Sequence, residues 1–243
     1  EKCFALFEKD GETALEHIAF DNPEPDITTN RDTVVFTLPA DEKEYIAKPY
    51  VLAFGKYFYM DEDDRWVDLG LPSGILWAAY NVGASSPEEY GGYYAWGTLG
   101  KWDDIDIEDV YNDNRGKDIS GTKYDVANIV WGNGARIPTA SEMEELMENC
   151  TFTLENYNNT KGNKVTGPNG KSIFLPFAGC YEDELEGQGF YGEFWSSSLE
   201  DQDHACYFHV GSDYSDIWDE NWFYMSDMLR EISLSVRPVK DKQ

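Results

Sequence analysis

The segment Phe194–Val210, with the sequence FWSSSLEDQDHACYFHV, contains the residue types of a hydrolase site. Three consecutive serines could supply a nucleophile, two histidines a base, and the acids between them an orienting carboxylate. However, no Gly-x-Ser-x-Gly elbow surrounds the serines. His204 and His209 lie on one predicted strand at an odd spacing, which directs their side chains to opposite faces. We therefore interpret the serines as backbone-bonding residues of a strand and turn, and we expect no catalytic residues.

The stretch that follows, Gly211–Met228, is better suited to binding a ligand. Trp and Tyr rings stack on sugars or anchor protein contacts, while Asp and Asn side chains bind hydroxyl groups or a cation. About half of these aromatic residues should be partly in the core, alternating along the strands. We predict that the ligand-binding residues are Asp213, Tyr214, Asp216, Trp218, Asp219, Asn221, Trp222 and Tyr224.

The composition limits the class of protein. The 243 residues are 41% hydrophobic, which suffices for a packed core in one or two domains. A formal net charge of −28 repels phosphate groups and anionic lipids, so nucleic acid is excluded as a partner. No apolar run reaches the length of a transmembrane helix. The first residues, EKCFALF, have no signal-peptide pattern and are compatible with a mature form whose lipid anchor lies outside this sequence.

Metal binding has little support in the residue spacing. The four cysteines, Cys3, Cys150, Cys180 and Cys206, form neither a Cys-x-x-Cys motif nor a Cys/His cluster with zinc spacing. Their pairing stays open, and free buried thiols are equally consistent with the sequence. The acids around Gly116 do not follow the EF-hand pattern. We expect no cofactor, and calcium remains a hypothesis that rests on charge density alone.

The chain divides into two predicted domains at the acidic run DEDDRW, because adjacent charges resist burial. Residues 1–63 are rich in β-branched and aromatic residues and predict a small β-sandwich, or part of one, with a hairpin that turns at Gly55. Its predicted strands are CFALF, EHIAF, TVVFTL, YIAKPYVLAF and KYFYM. Residues 64–243 form the second domain.

The second domain alternates between strand and helix signals. VDLGLPSGILWAAY predicts two strands around a turn at PSG, and SSPEEYG predicts a short helix capped by Ser86 and Glu89. Residues 101–120 lack a period and are interpreted as a surface insertion. A second helix begins after Thr139, with one apolar face formed by Met143, Leu146, Met147 and Cys150. A hairpin around PNG and the strands EFWSSS, HACYFHV, DIWDENWFYM and SLSVRPV follow.

Five blocks of this region closely resemble the Fibrobacter-type major paralogous domain. The blocks are VDLGLPSGILWAAYNVGASSPEEYGGYYAWG, ARIPTASEMEELMENC, KSIFLPFAG, FWSSS and SVRPV, and together they span roughly Arg65 to Lys240. That family occurs in surface and secreted proteins of Bacteroidetes-like gut bacteria. It is similar in fold to C-type lectin-like proteins, which include formylglycine-generating enzymes and retroelement-diversified receptor-binding proteins. The segment YIAKPYVLAFGKYFYMDE resembles the last hairpin of a fibronectin type III or immunoglobulin-like domain.

The resemblance implies an α+β fold: a C-type lectin-like domain with two short helices and mixed antiparallel sheets, whose first and last strands, VDLGL and SVRPV, pair. It implies a secreted or outer-membrane-surface module that binds a carbohydrate or protein ligand. An extracellular location favours a Cys180–Cys206 disulfide. The chain lacks the second nearby thiol of the formylglycine-generating enzymes. The alternatives are such an enzyme, a hydrolase, or a structural subunit such as a fimbrial tip.

Overall fold

The computed structural model describes residues 3–8, 16–19, 45–53, 56–59, 65–100, 105–111, 115–212 and 221–242. The chain divides into two compact units, Glu1–Asp64 and Arg65–Gln243. The division lies one residue from the predicted domain boundary. The described residues form mostly antiparallel sheets with short helices, which confirms the α+β class.

The first unit contains a four-stranded sheet. Its strands are β1 (Cys3–Glu8), β2 (Glu16–Ala19), β3 (Tyr45–Ala53) and β4 (Lys56–Tyr59), in the order β2-β1-β3-β4. β3 and β4 form the predicted hairpin, with Ala53 opposite Lys56. The expected turn residue, Gly55, and the predicted strand TVVFTL lie outside the described residues. The β-sandwich therefore stays a prediction.

The second unit is built from short strands and three helices within its described residues. The helices are α1 (Ile107–Val110), α2 (Val126–Trp131) and α3 (Ala140–Asn149). The strands are β5 (Trp66–Asp68), β6 (Leu76–Ala78), β7 (Tyr94–Ala95), β8 (Thr151–Tyr157), β9 (Thr160–Thr166), β10 (Ser172–Pro176), β11 (Cys180–Tyr181), β12 (Leu185–Glu186), β13 (Tyr191–Leu199), β14 (His204–Ser212), β15 (Asn221–Leu229), β16 (Ser233–Leu234) and β17 (Val239–Lys240). They form sheets in the orders β10-β9-β8, β12-β11-β16-β7, β13-β14-β15 and β17-β6-β5.

Local turn chemistry explains the β8-β9-β10 sheet. The predicted hairpin around PNG is confirmed, with Ser172 on β10 opposite Thr166 on β9. A second tight turn joins β8 to β9 at Asn158 and Asn159, whose φ angles are 48° and 69°. Asparagine tolerates this left-handed conformation better than most residues, so the pair favours a two-residue hairpin turn.

Helix α3 begins and packs as predicted. Thr139 is the N-cap and accepts a hydrogen bond from the Glu142 backbone N–H, while the Glu142 carboxylate accepts one from the Thr139 backbone N–H. Met143 and Leu146 are fully buried, and Met147 and Cys150 pack beside them in the same cluster. The helix therefore positions its apolar face against the strands β13, β14 and β15.

The predicted helix after Ser86 is wrong. Residues 85–89 form turns, in which Ser85 rather than Ser86 donates its backbone N–H and hydroxyl to the Glu89 carboxylate. The chain must turn at once, because the Gly91 backbone, at φ +79°, lies so close to Val82 that a Cβ there would come within 2.5 Å of the Val82 carbonyl oxygen. That close approach leaves no room for a helical turn to continue.

The interpretation of residues 101–120 as a surface insertion is also wrong for part of the range. Val110 at the end of α1, Arg115 and Ile119 are buried. The Ile119 backbone N–H donates to the Ser197 carbonyl on β13. The next helix, α2, was not predicted, although Asp125 is its N-cap and accepts from the Asn128 backbone N–H. Its six residues are too few for an apolar period to be recognised.

The two ends of the second unit meet in one sheet, although not in the predicted way. VDLGL does not pair with SVRPV, because β6 lies between them, with Val239 of β17 opposite Trp77. The PSG turn folds β6 directly back on β5 and so occupies the edge that the last strand was expected to use. The Lys242 ammonium lies 2.8 Å from the Asp68 carboxylate and closes this end of the sheet.

A buried arginine joins distant segments of the second unit. Arg237 is 1% exposed, and all three of its guanidinium nitrogens donate to neutral oxygens. Nε donates to Asn81 Oδ1 at 2.8 Å, one terminal nitrogen to the Ala78 carbonyl at 3.0 Å, and the other to the Phe174 carbonyl at 2.8 Å. Burial lowers the pKa of Arg237 to about 9. The side chain therefore ties β6, β10 and the C-terminal segment together.

Replacement of Arg237 by Met should lower the free energy of unfolding by about 3 kcal/mol or more, because three buried oxygens lose their donors. Urea denaturation at neutral pH measures this change. Lys117→Met is the matched control, since Lys117 is exposed. A change for Arg237→Met as small as that of the control would contradict the assigned role.

The charge of Glu142 should make the stability pH-dependent. Burial acts to raise the pKa of Glu142, but hydrogen bonds from Arg136 and Thr139 outweigh burial and lower the pKa below its usual value of 4.5. A carboxyl with a lowered folded pKa stabilises the fold above its unfolded pKa, and this contribution is lost as the pH falls towards the folded pKa.

Glu142→Gln should therefore reduce the free energy of unfolding by about 1 kcal/mol at pH 7, and the difference from the parent chain should shrink below about pH 4.5. Urea denaturation across pH 3.5 to 7 provides the measurement. Glu148→Gln, an exposed change on the same helix, should have no comparable effect. A difference that stays constant across this pH range would contradict the ion-pair account.

Candidate functional site

The sheet β13-β14-β15 has one face in the core. Phe208 and Val210 of β14 are buried in the cluster that contains the apolar face of α3. On the same face of β15, Phe223 stacks on Phe152 of β8, with ring centroids 4.4 Å apart and an angle of 18° between the rings. The opposite face is buried in part by a second cluster that contains Trp195, Ala205 and Tyr207, so only the side chains beyond that cluster can meet a ligand.

Three aromatic rings cross the opposite face, one from each strand. Tyr191 stacks on His209 at 5.4 Å, and His209 stacks on Tyr224 at 4.6 Å and 13°. The register places Tyr224 directly opposite His209. Gly211 lies next to this stack, where a Cβ would come within 2.9 Å of His209 Nε2. We call Tyr191, His209 and Tyr224 the aromatic ladder.

Trp222 extends the aromatic surface along β15. It is two residues from Tyr224, so both side chains are on the ladder side of the strand. Trp222 is 53% exposed and Tyr224 is 41% exposed. Exposure of two large rings beside an ordered stack is typical of a recognition surface.

The structure describes only part of the predicted binding set. Trp222 and Tyr224 are exposed on β15, and Asn221 begins that strand, although its side chain is not among those described. The remaining predicted residues, Asp213, Tyr214, Asp216, Trp218 and Asp219, lie outside the described residues. Their proposed role stays a prediction.

A pocket of about 320 Å³ opens next to the ladder. Its polar lining consists of Glu182, Glu186 and Glu193, together with Cys180 and the ladder residue Tyr191. Met228, Leu229 and Ile232 form its apolar wall. We call this space the acidic pocket. A smaller pocket of about 210 Å³ beside Tyr157 and Phe174 carries an exposed Lys164.

Glu193 is the most unusual residue of the acidic pocket. It is 5% exposed, and its Oε1 accepts a hydrogen bond from His209 Nδ1 at 3.2 Å. Its second oxygen, Oε2, is buried and has no N–H or O–H donor among the described residues, although the Cys180 thiol is a weak hydrogen-bond donor to the Glu193 carboxylate. A buried carboxylate oxygen without a strong donor is costly, so this atom marks a position where a ligand donor would be favoured.

Sequence analysis missed Tyr191, Glu193 and His209, because they meet only through strand pairing. Glu193 is opposite His209, and Tyr191 is opposite Gly211. An antiparallel pairing of EFWSSS with HACYFHV, combined with the period of two along strands, could have placed these side chains on one face.

Two of the three serines in FWSSS bond to the backbone through their hydroxyls, as predicted, whereas the Ser197 hydroxyl is buried without a hydrogen-bond partner among the described residues. Ser198 Oγ accepts from the Ala140 backbone N–H at the start of α3, and Ser196 Oγ accepts from the Ser198 backbone N–H. The histidines have other partners: His209 bonds to Glu193, and His204 Nδ1 lies 2.9 Å from the Asp201 carboxylate. This ion pair raises the pKa of His204.

The favoured disulfide is wrong, since Cys150, Cys180 and Cys206 are free thiols. Cys180 Sγ lies 3.5 Å from the Tyr191 hydroxyl, while Cys206 Sγ lies 3.7 Å from the Glu200 carboxylate. Burial raises the pKa of both thiols to about 11, and nearby glutamates add to the shift. Such thiols are protonated at neutral pH and therefore weakly nucleophilic.

Among the described residues, no group of three or more His, Cys, Asp or Glu side chains is arranged to hold a metal ion. Likewise, no helix in the described part of the chain is both long enough and apolar enough to cross a membrane. The calcium hypothesis rests on charge density, and several of the acids concerned, among them Asp213, Asp216 and Asp219, lie outside the described residues.

Alkylation by iodoacetamide at pH 8 should be about 100-fold slower at Cys180 and Cys206 than in a short unstructured cysteine peptide, because the raised pKa reduces the thiolate fraction. Peptide mass mapping measures each rate separately. In urea, both sites should react at the peptide's rate. Rapid modification of the folded chain, or a Cys180–Cys206 disulfide in the peptide map, would contradict the structure.

No family model, no curated protein and no solved structure matches the chain. The features of the second unit that bear on its function are the ladder, the exposed strand β15 and the acidic pocket.

Proposed function

We propose that residues 65–242 form a secreted or surface-exposed binding module. The module recognises a carbohydrate or protein ligand through the ladder side of β15 and the segment that precedes this strand. The observation that carries the proposal is the exposure of Trp222 and Tyr224 beside the stacked rings of His209 and Tyr191. Rings that are already held in place lose little conformational entropy when a ligand binds.

The proposed fold is C-type lectin-like, and the chain resembles the Fibrobacter-type major paralogous domain. Support comes from the meeting of both ends of the unit in the sheet β17-β6-β5 and from the capped helix α3 packed on a sheet. The blocks that carry the resemblance contain residues with structural roles. Asn81 accepts from Arg237, and Trp195 Nε1 donates to the Tyr94 carbonyl at 2.8 Å.

A binding role is favoured over catalysis by the state of the nucleophilic groups. The Ser196 and Ser198 hydroxyls bond to the backbone, and the Cys180 and Cys206 thiols have raised pKa values. Neither arrangement supplies an activated nucleophile. By contrast, flat exposed rings on a rigid strand are suited to stacking on sugar rings or to packing against a protein.

Trp222→Ala and Tyr224→Ala should each weaken ligand retention about 10-fold, because hot-spot aromatic residues contribute roughly 1–2 kcal/mol to binding. A glycan array measures the retention of carbohydrates, and a pull-down from an extract of bacterial surface proteins measures the retention of proteins. A loss confined to the glycan array would identify a carbohydrate ligand, and a loss confined to the pull-down would identify a protein ligand.

Tyr157→Ala is the matched control, since Tyr157 is 39% exposed on β8, outside the ladder. It should leave retention unchanged. Circular dichroism checks that each variant is folded. Ligand retention that is unchanged in both β15 variants would contradict the proposed binding face.

A further inference from the structure

The acidic pocket has an incomplete hydrogen-bond network at its buried end. The Glu193 side chain is 7% exposed, and only one of its two oxygens has a conventional partner, His209 Nδ1. The Cys180 thiol is close enough to be affected by the Glu193 charge, but a thiol is a weak donor. A strong donor, either a water molecule or a ligand group, would satisfy Oε2.

The charge around the opening favours a cationic donor. Glu182 and Glu186 are exposed at the rim, so three carboxylates face one small space. The net charge of −28 adds a general attraction for cations. The Tyr191 ring, which stacks on His209, also lines this space.

The wall of the pocket favours a cation that has an apolar stem. Met228 and Leu229 are partly exposed, and Ile232 is 5% exposed, so a methylene chain could cover this surface. An amino sugar fits this wall less well, because it would place several hydroxyl groups against the same apolar side chains. A guanidinium would need paired acceptors in one plane, whereas Glu193 offers one oxygen, which matches a compact ammonium.

We propose that the acidic pocket binds a primary alkylammonium group of the lysine side-chain type, with its nitrogen at the Glu193 carboxylate and its stem along Met228, Leu229 and Ile232. The volume of about 320 Å³ is at the lower end of the range for small-ligand sites, in keeping with one side chain rather than a large cofactor. This inference rests on the proposed function in one respect, since the lysine side chain would belong to a protein ligand of the module.

Isothermal titration calorimetry with N-acetyl-lysine methylamide tests the pocket directly. The neutral probe N-acetyl-norleucine methylamide, which keeps the apolar stem but has no ammonium group, should bind at least about 10-fold more weakly, because it lacks the donor for the carboxylate. Glucosamine and N-acetyl-arginine methylamide should also bind more weakly than the lysine probe. Equal binding of the lysine and norleucine probes would overturn the proposal, and a preference for glucosamine or the arginine probe would overturn the assignment to lysine.

Glu193→Gln should weaken the lysine probe about 10-fold or more, and the rim variant Glu182→Gln/Glu186→Gln should weaken it a few-fold. The rim residues are exposed, so their variant keeps the test valid if Glu193→Gln does not fold. Glu144→Gln/Glu148→Gln, with the same change in charge on exposed residues of α3, should leave binding unchanged. Equal effects of the rim and α3 variants would overturn the proposal, since they would indicate only a general charge effect.

The proposals for the pocket and for the binding face can be contradicted independently of each other. Trp222→Ala should weaken retention of the larger ligand while leaving the lysine probe unaffected, because Trp222 does not line the pocket. Lysine-probe binding with intact retention in Trp222→Ala would contradict the proposed face alone. Retention that depends on Trp222, without a preference for the lysine probe, would overturn the pocket alone.

Discussion

The second unit depends on a cation that is buried among neutral oxygens. Desolvation disfavours a charged guanidinium in the protein interior, and Arg237 offsets this cost by donating to three oxygens that would otherwise lack partners. Because these oxygens belong to segments far apart in the sequence, their position relative to one another is fixed by a single side chain. The short strands of this unit, several only two residues long, could not provide that order alone.

The sheet β13-β14-β15 connects this scaffold to the candidate site. One face is held by α3 and by the Phe152–Phe223 stack, so the strands have little freedom to move. The side chains of the ladder are therefore attached to rigid strands. Gly211 has no Cβ that would collide with the His209 ring. The exposed rings and the buried Glu193 carboxylate are therefore ordered before any ligand arrives.

Features coded by neighbouring residues were predictable from the sequence. Helix α3 follows from Thr139, Glu142 and an apolar period, and the β9-β10 hairpin follows from its turn residues. Features that depend on distant partners were not predictable. The three acceptors of Arg237 lie 63 to 159 residues away in the sequence, and nothing near Arg237 indicates them.

The candidate site also contains features that neighbouring residues predict and features that depend on distant partners. The placement of Trp222 and Tyr224 on one side of β15 follows from strand alternation, which is a local property. The contacts of Glu193 with His209 and of Tyr191 with His209 require the register of two strands. The loss of the helix expected after Ser86 likewise arises from the approach of Gly91 to Val82, which no capping pattern reveals.

The central claim, that the ladder side of β15 is the ligand-contacting face, is tested most directly by hydroxyl-radical footprinting with and without the ligand retained in the pull-down or on the array. Oxidation of Trp222 and Tyr224 should fall on binding, while oxidation of Tyr157 on β8 should stay the same. Unchanged oxidation of Trp222 and Tyr224 in the saturated complex would contradict the claim.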